Sequence, residues 1–163
     1  MNPVDQVRQA LAGAGLDTAL VRELPADTST AQAAALAVDA PLGSIVKSLV
    51  FLADGGLLLV LVAGDQRVDV KRLRSTLGLS KRQLRIAQPD EILELTGFEI
   101  GGVPPIGHKV PVRTLIDRTL SRFELLWAAA GSRNAVFPIA YEQLVAVTGG
   151  AVIDLVDGGQ VEI

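Results

Sequence analysis

At 163 residues the chain is long enough to bury a full hydrophobic core without a disulfide or a structural metal, and it is expected to form one domain spanning 1–163. Cysteine is absent and histidine occurs once, at His108, which excludes thiolate nucleophiles, zinc ligand sets and any Ser-His-Asp arrangement not built on His108, so no metal or cofactor is expected. The net charge of -3 conceals a segregation: Arg67, Lys71, Arg72, Arg74, Lys81, Arg82 and Arg85, opposed by Asp69 alone, give that window +6 and leave -9 for the remainder. Such a window suits either a polyanion or a solvated helix face. Apolar runs such as Leu57 to Ala63 are too short to cross a bilayer, and the N-terminus lacks the basic-then-apolar pattern of a signal peptide. A soluble, cytoplasmic protein is expected.

In chain order, Asn2-Pro3 with Val4, Val7, Ala10, Leu11 and Ala14 predicts a capped amphipathic helix closed by Gly15. Thr18 to Leu24 predicts a strand stopped by Pro25, and Thr28-Ser29-Thr30 caps an alanine-rich helix to about Val38. Pro41-Leu42-Gly43 turns the chain into a strand around Lys47. Asp54-Gly55-Gly56 is a hairpin signal, returning a buried strand over Leu57 to Val62. Asp69 can cap a helix over Val70 to Leu77 that turns Val70, Leu73 and Leu77 inward and Lys71, Arg72 and Arg74 outward. Gln83 to Ala87 predicts a strand, and Pro89 opens a helix ended by Gly97. Further strands are expected over Val110 to Ile116, Leu125 to Ala130 and Ala135 to Phe137, a helix over Tyr141 to Thr148, and a closing strand within Ala151 to Val156. The pattern predicts an α+β fold with a mixed, mainly antiparallel, partly closed sheet surrounded by helices, because the turns within 45–62 and 110–137 are too short for helical crossovers.

Two stretches stand out chemically. In Ile45-Val46-Lys47-Ser48-Leu49-Val50-Phe51, strand alternation puts Lys47 on the face of Ile45, Leu49 and Phe51, where desolvating an ammonium is costly without an anionic partner. Either Lys47 belongs to a site, or it is an edge lysine that snorkels to water and discourages aggregation. The loop Gly101-Gly102-Val103-Pro104-Pro105-Ile106-Gly107 lacks the Gly-Lys-Ser/Thr ending of a phosphate loop, and its prolines remove amide donors. It is suited either to presenting glycine amides to an oxyanion or carbonyl, or to a structural turn.

Those two stretches, with Gly64-Asp65-Gln66-Arg67-Val68-Asp69, Thr96-Gly97 and Trp127-Ala128-Ala129-Ala130-Gly131-Ser132, resemble the YbaK/EbsC family over roughly Val4 to Val156. Members are aminoacyl-tRNA deacylases, free-standing or inserted in bacterial prolyl-tRNA synthetase. The resemblance implies a free-standing, trans-acting deacylase that hydrolyses the ester of mischarged tRNA of the Cys-tRNA(Pro) or Ala-tRNA(Pro) type. It implies that Lys47 binds the phosphate or carbonyl end of the aminoacyl-adenosine and that Gly101, with Pro105 completing a glycine-x-x-x-proline pattern, turns its backbone to the scissile ester. The 2′-hydroxyl of the terminal adenosine, or a substrate thiol, would assist in place of a protein base. Thr30, Ser48, Gly102, Pro105, Gly131, Ser132 and Arg133 are then expected at the substrate, although Ser132 and Arg133 serve equally well as turn residues. Lys71, Arg72 and Arg74 are expected on the tRNA acceptor backbone, with an aminoacyl-tRNA synthetase as a further partner. Where relatives carry an acidic residue or histidine, this chain has Val136, and Ser48 stands where others have threonine or asparagine. Both departures bear on which amino acid is cleared. His108 is expected as an exposed loop residue. The alternative reading is a non-catalytic tRNA- or synthetase-binding module of the same fold.

Overall fold

A computed structural model describes residues 1–156; the last positions of the expected 1–163 span lie outside the described residues. Helix α1 (Pro3–Gly13) begins where the Asn2 side chain accepts the Asp5 N–H at 2.8 Å, and it buries Val4, Val7 and Leu11. The expected strand from Thr18 to Leu24 is largely a 3-10 turn (Thr18–Leu20), because the Asp17 carboxylate accepts the Ala19 N–H at 2.9 Å and bends the chain, leaving only β1 (Arg22–Glu23) extended. Helix α2 (Ala31–Val38) is capped by Thr30, whose hydroxyl accepts the Ala33 N–H.

Strands β2 (Val46–Ala53) and β3 (Gly56–Ala63) form an antiparallel hairpin in register from Val46↔Ala63 to Ala53↔Gly56. Its two-residue turn holds Asp54 at φ 50° and Gly55 at φ 82°, the double left-handed geometry that matches strand twist. Helix α3 (Val70–Leu77) is capped by Asp69 and buries Leu73, but Val70 is exposed rather than inward because it lies at the first helical position, before the buried stripe begins. After β4 (Leu84–Ile86), helix α4 (Pro89–Thr96) is closed at its start by Glu91, which accepts the Gln88 N–H at 2.9 Å. Strand β5 (Arg113–Asp117) starts later than expected, past Pro111, which has no N–H to give a ladder. Then follow β6 (Leu125–Ala129), β7 (Ala135–Ala140), α5 (Tyr141–Thr148) and β8 (Ala151–Ile153).

The strands form a five-stranded sheet in the order β4-β2-β3-β5-β8 and a three-stranded antiparallel sheet in the order β1-β7-β6. Antiparallel pairing dominates, and the parallel pairs β3/β5 and β5/β8 join strands far apart in sequence, so no short crossover is needed. Among the described residues the sheets meet through one parallel bridge, Ile45↔Trp127, and they do not form a closed barrel. Strand β2 is covered on both faces: Val46, Val50 and Leu52 enter the core beneath α1, and Phe51 packs with Leu73 of α3 and Leu155. Ile45, Trp127, Ala34 and Val136 form a smaller apolar cluster where the sheets join.

Candidate active site

The site follows from how β2 uses its outer edge. The inner edge pairs with β3 along its whole length, whereas the outer edge is bridged to β6 at Ile45 and joins β4 only at Phe51–Ala53. Between those points β6 and β4 splay apart and leave a cavity of about 510 Å³, a size suited to a small ligand. Its floor is Val46 to Val50, one wall is Trp127 to Ala129, the other is Ile86 to Pro89 with Ile92, and the rim carries Thr28 to Ala31, Ile100 and Gly101.

Lys47 and Gly101, far apart in sequence, therefore share one cavity, joined by Ser48 and Thr30. Among the lining residues Lys47 is the one charged side chain, and none is Asp, Glu, His or Cys. The lysine is half-buried, and its ammonium donates to the backbone carbonyl of Gln66, a buried residue. That carbonyl sits in the turn after β3, which Arg122 pins through paired hydrogen bonds to Asp65 at 2.7 and 3.0 Å. Hydrogen bonding from Arg122 is the main reason the Asp65 carboxyl lies below its ordinary range. Gly43 makes room for this pair, since a Cβ there would meet Asp65 Oδ2 at 2.8 Å and Arg122 Nη2 at 3.0 Å. Sequence reasoning missed both Gln66 and Arg122: the first acts through its backbone, and the second becomes a neighbour only in the fold.

Ser48 points to the opposite face of β2 from Lys47, and its buried hydroxyl has no hydrogen-bond partner among the described residues. Gly101 needs to be glycine twice over: its φ is +88°, and a Cβ would lie 2.7 Å from that of Ser29. The neighbouring Gly102 N–H is committed to the Glu99 carbonyl at 3.0 Å.

The remaining expected site residues fall outside the cavity wall. A Cβ on Gly102 would strike the Ser132 backbone at 2.8 Å, and one on Gly131 the Pro3 carbonyl at 2.6 Å, so both glycines permit close chain packing. Pro105 is buried on the far side of the loop, beside His108 and Val112. Ser132 donates to Asn134 at 2.9 Å. Arg133 lies near the rim, with Nε at 3.3 Å from Asp27 and Nη2 at 3.2 Å from Ser29, and hydrogen bonds from Ser29, then Arg133, keep the Asp27 carboxyl low. His108 is not the exposed residue expected: its Nε2–H donates to the Pro104 carbonyl at 2.6 Å, and its ring meets Phe98 edge-on. Burial, partly offset by that hydrogen bond, pushes its pKa down. On α3, Lys71 is exposed and Arg74 partly so, while Arg72 donates to the Val156 carbonyl at 2.8 Å.

An α+β scaffold with a small-ligand cavity in a fork between two sheets, lined by a single lysine and a left-handed glycine, defines the class. Similarity to known proteins makes it specific. Residues 25–147 match the model of the aminoacyl-tRNA editing domain, and the chain belongs to that family. It is 37% identical to the uncharacterized protein YwhH of Bacillus subtilis over 125 residues, covering 76% of this chain and 78% of YwhH. It is 35% identical over 81 residues to a proline–tRNA ligase of Solidesulfovibrio magneticus, covering 50% of this chain and 14% of the ligase. A crystal structure described as a candidate trans-editing enzyme for prolyl-tRNA synthetase superposes with a TM-score of 0.89 at 43% identity, covering 97% of this chain and 99% of that one. No helix among the described residues is long and apolar enough to cross a membrane.

Proposed function

We propose that the protein is a trans-acting aminoacyl-tRNA deacylase that hydrolyses the ester of mischarged tRNA, with cysteinyl- or alanyl-tRNA(Pro) as the substrate class. The observation that carries this reading is the convergence of Lys47 and Gly101 on one cavity whose lining offers no protein general base. Hydrolysis in such a cavity relies on positioning and on donors preorganised toward the charge that develops on the ester oxygen, with the proton handled by the substrate's own 2′-hydroxyl or thiol. Lys47 supplies the positive charge, at the carbonyl or the terminal phosphate, and Gly101 lets the ester approach the backbone closely. The likeness to the candidate trans-editing enzyme supports a trans-acting mode of action. The basic face of α3 would hold the acceptor backbone, and a synthetase would be the source of charged tRNA.

A panel of mischarged tRNAs, incubated with the wild-type protein and with Lys47→Ala, tests this. The expected result is ester loss from at least one substrate, reduced about 100 to 1,000 fold in the variant, the scale seen when one preorganised donor is removed. No ester loss above background with any substrate would instead support a binding module, and full activity in Lys47→Ala would remove the lysine from the mechanism.

A further inference from the structure

We infer that the open edge of β2 is the seat of the substrate's α-amino group, read by strand carbonyls and the Ser48 hydroxyl. This rests on the deacylase reading and concerns a part of the ligand that the reading leaves unassigned. Strand parity supplies the argument. The Gly64 N–H donates to the Ile45 carbonyl at 2.7 Å on the β3 side, and the Ala87 N–H donates to the Val50 carbonyl at 2.9 Å on the other. Peptide groups of an antiparallel strand alternate between its edges, so those of Lys47 and Leu49 face β3 and those of Val46 and Ser48 face the fork. No strand among the described residues pairs with Val46–Leu49 on that side. Ser48, whose side chain leaves the strand on the face away from Lys47, also lines the cavity, and its buried hydroxyl has no hydrogen-bond partner among the described residues.

The floor is polar and much of the wall is not. Ala34, Ala87, Val103, Ala128 and Val136 offer a ligand no polar side chain, while Gln88 and the Trp127 indole stand in the walls, Thr28 to Thr30 at the rim, and Lys47 is the one charged group in the lining. Gly101 lies at the rim, against Ser29 and the Arg133 stem, so an ester held there directs its acyl carbons inward, toward the strand. The first polar group inward from an aminoacyl carbonyl is the amine on the next carbon. It carries several N–H donors, and carbonyls with a hydroxyl are the acceptors they need. The acyl side chain is left to the apolar walls.

The test compares alanyl-tRNA with lactyl-tRNA, in which a hydroxyl replaces the amine, and with N-acetyl-alanyl-tRNA, each rate divided by the uncatalysed hydrolysis of the same ester. Normalised kcat/KM should favour the free amine about tenfold or more, and Ser48→Ala should narrow that gap several fold. A parallel arm measures binding of a non-hydrolysable alanyl-amide analogue of the terminal adenosine and of its lactyl counterpart, following the Ser48 backbone amide by NMR. The amine analogue should bind the more tightly and shift that resonance. Equal normalised rates for the alanyl and lactyl esters, unhindered cleavage of the N-acetylated ester, or equal binding of the two analogues would overturn the seat. Preference for seryl over alanyl with no penalty for lactyl would assign the floor to the acyl side chain instead. Absence of cleavage with every ester would sink the deacylase reading alone, because the binding arm still reads the amine.

Discussion

The two edges of β2 are built from the same eight residues and serve opposite ends. The inner edge spends every ladder position on β3, from Val46↔Ala63 to Ala53↔Gly56. The outer edge is held only near its ends, by the Ile45 bridge and by β4. Pairing withheld over a few residues leaves polar backbone at the bottom of an apolar cleft, and the cost is met by the complete pairing opposite. If the fork binds substrate as proposed, the site is an interruption in a sheet rather than an addition to it.

If that division holds, damage to the inner edge should appear as instability and damage to the outer edge as lost chemistry. Leu61 of β3 is fully buried opposite Ser48. Leu61→Ala should lower unfolding free energy by about 2–5 kcal/mol, the range for emptying a buried leucine site. Denaturant titration measures this loss, while turnover per folded molecule should stay within a few fold of wild type. A collapse of turnover in folded protein would show that the two edges are not independent.

The basic face of α3 sharpens the comparison from a third side, because α3 packs through Leu73 on the face of β2 opposite Val46 and Val50. The hydrogen bond from Arg72 to Val156 gives it a structural task, so the cleaner variant reverses Lys71 and Arg74 to glutamate and spares Arg72. Binding of the tRNA acceptor stem should weaken, and the slope of log affinity against log salt should fall by about 0.9 for each duplex phosphate that is no longer neutralised. An unchanged slope would take α3 out of the binding surface.

Much of the scaffold was legible because its signals are local. Asn2, Thr30 and Asp69 cap the helices they were expected to cap, and Asp54-Gly55 makes the hairpin turn. Lys47 was conspicuous as a cation in an alternating apolar strand. The fork was not legible, since Ile45↔Trp127 pairs residues with no sequence signal linking them. The same limit hid the Arg122–Asp65 pair, and it hid the packing that lets Gly102 and Gly131 bring backbones together. Where the reading failed locally, at Thr18 to Leu20, the apolar residues suggested a strand but the Asp17 side chain captured the backbone first.

The smallest expected effect separates the fork from the loop behind it. His108 stands outside the cavity lining, and burial lowers its pKa below the ordinary 6.5. The unfolded chain therefore binds its proton more readily than the folded one. The stability contributed by neutral His108 is present above pH 6.5 and is lost as the pH falls from there through the depressed folded value. His108→Gln, which retains an N–H donor for Pro104, should flatten thermal stability against pH over that window. The pH profile of deacylation should remain unchanged, since none of the cavity's lining residues is Asp, Glu, His or Cys and Lys47 is its one charged side chain. If the rate profile moved with the histidine while stability did not, His108 would have to be coupled to the chemistry, and the fork would not be working alone.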